Sequence, residues 1–180
     1  MDHDDHVRLI REGVEGAGPV WADLGSGTGA FTLALADLLG PTGVIHTVDR
    51  DAGAIRKQVE AVHGGFPSTT LYPRVADFTE PLGLPALDGM VMANSLHFVD
   101  QKAPVLELMR SALRPGGHLV LVEYDADRGN AWVPYPLSFR TWQGMAGSAG
   151  FERTRELVRV PSRFLDAIYS ALSYRPAGDR

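Results

Sequence analysis

The sequence predicts an α/β protein: a doubly wound, mostly parallel sheet with helices on both faces. Three observations lead there. Short apolar runs alternate with amphipathic ones across residues 18–124. A glycine-rich turn, "DLGSGTG" (23–29), joins the first apolar run to a helical one. The segments between successive apolar runs are also long enough for parallel crossovers, which short hairpin turns cannot provide.

An acidic amphipathic stretch (about 4–16) reads as a first helix. "PVWADLG" is a short buried strand, and "TGAFTLALADLLG" a helix with Phe31, Leu35 and Leu38 at helical spacing, stopped by Gly40-Pro41. "GVIHTVD" is a second strand. The helix "DAGAIRKQVEAVHG" carries Ile55, Val59 and Val62 along one face. "TTLYPRVAD" is a third strand, and Pro73 suggests a sheet edge because proline has no N–H to donate to a ladder. "LDGMVMAN" is a fourth strand, "QKAPVLELMRSALR" a helix, and "PGGHLVLVEYD" a turn followed by a fifth strand. After the loop "DADRGNAWVPYP" come a short helix, "LSFRTWQGMAGSAG", and two strands, "FERTRELVRV" and "FLDAIYSALSYR". So short a link forces these last two strands to pair antiparallel.

The 180 residues are read as one domain, 44% hydrophobic, with an N-terminal helix (1–17), a core (18–124) and a closing loop, helix and strand pair (125–175). The chain has no cysteine, which excludes disulfides, thiolate zinc sites and a cysteine nucleophile and suggests a cytoplasmic protein. Its net charge of −5 offers no global basic field for nucleic acid, and no apolar run approaches the ~20 residues of a membrane span. The "MDHDDH" start is a short Asp-His cluster without distant ligands, so no metal site is expected.

The glycine turn carries the chemistry. Glycines between a strand and a helix let a ligand touch main chain, and the helix N-terminus suits a polar or negative group. Gly25-x-Gly27-x-x-Ala30, with Asp49 about 20 residues on, satisfies a dinucleotide fingerprint, so an NAD(P)-dependent oxidoreductase is a real alternative. A P-loop is excluded, since no Lys-Ser or Lys-Thr follows the glycines. Asp23, two residues before Gly25, favours a ligand that carries an ammonium group. Asp49 ends the second strand, where it can accept both ribose hydroxyls. Asp77 ends the third, where it can accept from an adenine amino group beside Phe78.

Taken together, "ADLGSGTG", "HTVDR", "VADF", "DGMVMANSLHFV" and "LRPGGHLVLVE" resemble, in order and spacing, a class I S-adenosylmethionine-dependent methyltransferase of the small-molecule type. The resemblance implies a Rossmann-like, seven-stranded sheet with an antiparallel C-terminal strand, and S-adenosyl-L-methionine as cofactor, with S-adenosyl-L-homocysteine as product. It implies that Gly25, Ser26, Gly27 and Gly29 clear room for the methionine part and that Asp23 orients its ammonium. Asp49 would bind the ribose and Asp77 and Phe78 the adenine, with Asn94 and Ser95 at the methionine end. Arg50 departs from the apolar residue often found against the adenine.

Methyl transfer needs a base only for a neutral, weakly acidic acceptor. His97, Glu123 and Tyr124 are the catalytic candidates because they follow the fourth strand or end the fifth; Asp125 stands beside them. "NSLH" replaces the Asn/Asp-Pro-Pro-aromatic pattern of amide and base methylation, which favours a small-molecule acceptor at O, C or N. Trp132, Tyr135 and Arg128 are candidates for holding that acceptor, while Phe139 and Trp142 read as packing. His3 and His6 could reach the cofactor from the first helix. The final strand edge could also pair two copies as a homodimer. A non-catalytic cofactor-binding or protein-interaction domain remains the other alternative.

Overall fold

A computed structural model describes residues 1–162 and 164–178. Seven strands form one sheet in the order β3-β2-β1-β4-β5-β7-β6. They are β1 (Val20–Leu24), β2 (Val44–Asp49), β3 (Thr70–Val75), β4 (Leu87–Ala93), β5 (Leu113–Tyr124), β6 (Glu152–Pro161) and β7 (Ala167–Tyr174). The first five strands are mutually parallel; β7 runs antiparallel to both β5 and β6. The expected reversed strand is present, and β3 with its proline does occupy an edge.

The helices are α1 (His3–Val14), α2 (Ala30–Leu39), α3 (Ala52–Gly65), α4 (Lys102–Ala112) and α5 (Phe139–Ser148). Strand side chains alternate between two apolar layers. Val91, Val120 and Val122 pack with α1 and α2, through Leu9, Ile10, Phe31 and Leu35. Met90, Met92, Leu119 and Leu121 pack on the other side with α4 and α5, through Leu106, Met109, Trp142 and Ala146. Trp142 is fully buried, as the packing reading expects. Gly89 is needed where β4 crosses β1: a Cβ there would lie 2.3 Å from the Trp21 ring.

Two local expectations change. The "PGG" turn is absorbed into β5, which starts at Leu113; Gly116 (φ 78°) and Gly117 exchange hydrogen bonds with Arg175 and bulge the strand without ending it. On α3 the buried stripe is Ile55, Gln58 and Val62, so a glutamine takes the inward place expected of Val59.

The β3-to-β4 connection carries the chain from one edge to the far side of β1. Strand order therefore reverses between β1 and β4, which opens a crevice at their carboxyl ends. Among the described residues no helix is long and apolar enough to cross a membrane.

Candidate functional site

The glycine turn is built on β2. Gly25 and Ser26 both donate their N–H to the Val48 carbonyl, at 2.8 and 3.1 Å, and the Gly29 N–H returns to the Ser26 carbonyl at 3.0 Å. All three glycines have positive φ, but their surroundings differ. A Cβ on Gly25 would lie 2.4 Å from Ser95 Cβ, and one on Gly29 would lie 2.7 Å from Gln58 Cγ, whereas one on Gly27 would meet nothing within 4 Å. The expectation that the whole set clears room for a ligand is thus corrected. Gly25 and Gly29 make way for the protein's own side chains; Gly25 and Gly27 both line the crevice, but only at Gly27 would a Cβ meet open space. Gly27→Ala is expected to cost about 1 kcal/mol in stability, from φ 53°. It should weaken nucleotide binding by roughly ten-fold through its projecting methyl, read by titration calorimetry beside a thermal melt.

A cleft of about 490 Å³ runs across this edge, lined by Gly25, Gly27, Asp49, Arg50, Asp77, Phe78, Asn94, Ser95 and Phe98 among others. Asp49 braces the turn: Oδ2 accepts from Gly27 N–H and Oδ1 from Asp51 N–H, both at 2.8 Å. Each oxygen keeps a lone pair for a ligand. Asp77 Oδ1 accepts from both the Thr79 N–H (2.9 Å) and its hydroxyl (2.7 Å), which holds the carboxyl below its ordinary range. Asp77 Oδ2 is left for a donor from outside. Arg50 is exposed at the cleft rim. Ser95 is committed to structure, its hydroxyl donating to the Leu24 carbonyl at 2.9 Å. Asn94 adopts a left-handed conformation (φ 51°), which asparagine tolerates better than most residues.

Asp23 sits deeper, in a second cavity of about 230 Å³ shared with His6, Ser26, Gly27, Phe31 and Asn94. It is 1% exposed. Burial pushes its carboxyl up to about 7; the Thr32 hydroxyl, donating to Oδ2 at 2.6 Å, opposes this, and the Asp49 carboxylate adds to it. Ser26 Oγ and Asn94 Oδ1 are buried in the same cavity without a protein partner. Such orphans fit a ligand that brings its own donors and acceptors. His6 lies edge-on to Phe31, with ring centroids 4.8 Å apart, so one of the two N-terminal histidines does reach the cavity. His3 pairs with Asp37 at the surface.

The raised Asp23 value has a thermodynamic consequence. Between 3.8 and about 7 the native state holds a proton that the unfolded chain has lost. Stability from this group is therefore full below the unfolded value and falls as pH rises, by about 1.4 kcal/mol per unit at most. Asp23→Asn is expected to melt higher than the parent at pH 8 without ligand, and the gap should narrow as pH is lowered toward 4, checked by thermal melts across that range.

Behind the part of the cleft wall formed by Asn94, Ser95 and Phe98, His97 and Glu123 form a buried pair. His97 Nδ1 lies 2.8 Å from Glu123 Oε2, and Glu123 Oε1 accepts from the His97 N–H at 3.1 Å. They are 3% and 0% exposed. The sequence placed both residues at the cleft but gave no sign that they join. The His97 ring is flanked by Phe98 and Tyr124, at 4.3 and 5.6 Å. Asp125 is removed from the candidates: Oδ1 accepts from Phe139 N–H at 2.8 Å and Oδ2 pairs with Arg159. Tyr135 donates its N–H to the His97 carbonyl (3.0 Å), which brings the aromatic loop against the site. Buried Lys102 clamps both segments by donating to the Val99 and Tyr135 carbonyls, at 2.7 and 2.9 Å. Trp132 stands 78% exposed, and Arg128 is exposed on the same loop. Neither lines the cleft, so the structure does not gather them into the site. Phe98, Thr32 and Gln58 were missed as site residues. The only available signal was a polar residue on the inward face of an otherwise apolar helix, for the latter two.

Residues 22–119 match the family described as methyltransferase domain. No curated protein matches the sequence. Among solved structures, the chain is similar to a SAM-dependent methyltransferase from Aquifex aeolicus, with a TM-score of 0.73 and 17% identity over 95% of this chain and 89% of that one. It is also similar to magnesium protoporphyrin IX methyltransferase from Synechocystis, solved with bound SAM (TM-score 0.72, 16% identity, covering 96% of this chain and 77% of that one). A third likeness is the CurJ carbon methyltransferase (TM-score 0.76, 20% identity, covering 98% of this chain and 54% of that one). These likenesses share the doubly wound seven-stranded fold, and the family match spans more than half of the 180 residues. The chain belongs to the methyltransferase domain family.

Proposed function

We propose that this chain binds S-adenosylmethionine over the glycine turn and transfers its methyl group, by in-line displacement, to a small-molecule acceptor that must lose a proton. The His97–Glu123 pair beside the cleft carries this reading, because acceptors that are already nucleophilic have no use for a buried base. The cleft residues fit the cofactor. Asp49 keeps lone pairs for two ribose hydroxyls, Asp77 Oδ2 for an adenine amino group, and Asp23, Ser26 Oγ and Asn94 Oδ1 for the amino-acid end. When bound, the sulfonium supplies an activated methyl group, so the chemistry left to the protein is alignment and proton removal.

Glu123 holds the His97 Nδ1–H as a donor, which makes Nε2 the basic nitrogen. Nε2 would take the proton from the acceptor's O–H or C–H, leaving its oxygen or carbon free to accept the methyl group that the bound cofactor would supply. Nitrogen remains open where an N–H must be removed. Phe98, which lines the cleft beside the imidazole, offers a flat apolar wall for a planar acceptor. An oxidoreductase would set a pyrophosphate on the same turn, where the buried Asp23 carboxylate opposes an anion.

The test is a screen with methyl-labelled S-adenosylmethionine against phenols, β-dicarbonyl compounds and amines. Transfer to a phenol or carbon acid supports the reading. Transfer to none of them, with intact S-adenosylhomocysteine binding, would contradict it and favour a non-catalytic binding domain.

A further inference from the structure

A chain of buried hydrogen bonds leads away from Asp23. The Thr47 hydroxyl donates to Gln58 Oε1 at 2.7 Å, Gln58 Nε2 donates to Thr32 Oγ1 at 3.0 Å, and the Thr32 hydroxyl donates to Asp23 Oδ2 at 2.6 Å. Thr47, Gln58 and Thr32 are each 0% exposed. The path is nearly closed, because Thr47 on β2 is the register partner of Asp23 on β1. The second feature is steric. Gly29 is bare where Gln58 Cγ packs, so the turn itself makes room for this amide.

The polarity of the chain is not arbitrary. An amide oxygen only accepts and an amide nitrogen only donates. With Oε1 engaged by Thr47, Gln58 must present N–H to Thr32. One lone pair of Thr32 is then used, and its hydrogen is free to point at Asp23. The reversed chain, with the amide turned over, would require Asp23 to donate and therefore to be protonated. In the observed polarity the Thr32 hydroxyl donates to Asp23, and a donated hydrogen bond favours the ionised carboxyl.

We infer that Gln58 and Thr32 are positioning residues: they polarise this chain so that Asp23 presents lone pairs, not a proton, to a cationic group bound above Gly27. The inference rests on the cofactor reading above and adds a linkage to it: an ammonium ligand binds the ionised form of Asp23. The carboxyl's rise to about 7 puts that linkage in an accessible pH range. The other titratable groups facing Asp23 are His6 from α1 and Asp49 from β2; β4 contributes only Ala93 and Asn94. Burial holds His6 below its ordinary value.

The experiment is calorimetric titration of the full chain from pH 5.5 to 8.5 with S-adenosylhomocysteine and with methylthioadenosine, which lacks the ammonium. The affinity of the first should fall by up to about ten-fold per pH unit below 7, and that of the second should stay flat. Thr32→Val and Gln58→Met should bind S-adenosylhomocysteine about ten-fold more weakly at pH 6.5 and regain affinity at 8.5, while Thr32→Ser keeps the parent profile. His6→Asn should leave the profile in place. A flat parent profile, the same slope with methylthioadenosine, a flat His6→Asn profile, or variants that lose affinity equally at every pH would each overturn the inference alone. Absence of binding by the parent at every pH would overturn the cofactor reading as well. The parent comparison of the two nucleosides needs no variant to fold.

Discussion

Asp49→Ala should weaken S-adenosylhomocysteine binding by roughly 10²-fold or more, read by titration calorimetry at pH 7.5. The side chain is asked to accept two ribose hydroxyls, and hydrogen bonds to a charged group contribute about 1.5–3 kcal/mol each. It also braces the turn from below, through Gly27 N–H and Asp51 N–H. Asp49→Asn keeps one accepting oxygen and should fall between the alanine variant and the parent. The fold should survive both changes, since the β1–β2 ladder is main-chain and the carboxylate ends β2 at the cleft. Parent-like affinity in the alanine variant would remove Asp49 from the site.

His97→Ala should lower methyl-transfer turnover by about 10²–10⁴-fold on a phenol or carbon acid, with S-adenosylhomocysteine affinity unchanged. The two readouts separate roles. A residue that only packs would disturb the fold without sparing the cofactor and selecting against the proton-transfer step. Stability should fall too, by about 3 kcal/mol, because Glu123 is 0% exposed and would keep only main-chain donors, the N–H groups of residues 97 and 124. Glu123→Gln should lose turnover as well, since an amide can leave the imidazole in the wrong tautomer. Full turnover in His97→Ala with an acceptor that must lose a proton would contradict the assignment.

The strand–helix alternation was legible because strands buried on both faces read as continuous apolar runs, and β1, β4 and β5 do so. Pro73 marked an edge for the same physical reason that it cannot occupy a central strand. The acids at 23, 49 and 77 were legible as strand-end residues, and the structure gathers them around the two cavities. Partnership was not legible. Nothing in the spacing of Thr32, Thr47 and Gln58 says that they touch, because their contacts arise between α2, α3 and β2 and are set by tertiary packing. Gln58 was hidden by its type: a periodicity argument looks for Val59 on the apolar face and steps over the polar residue that is inside. The glycines misled in a related way. Their recurrence pointed to a ligand at all three, yet Ser95 and Gln58 explain two of them. Trp132, Tyr135 and Arg128 looked alike as loop residues, and only the Tyr135 main chain is tied to His97.

The most direct test of the central claim is titration calorimetry with S-adenosylhomocysteine beside NAD and NADP. Micromolar binding of S-adenosylhomocysteine alone, abolished or greatly weakened in Asp49→Ala, is the predicted result. Binding of either nicotinamide nucleotide in its place, or of none of the three, would contradict it.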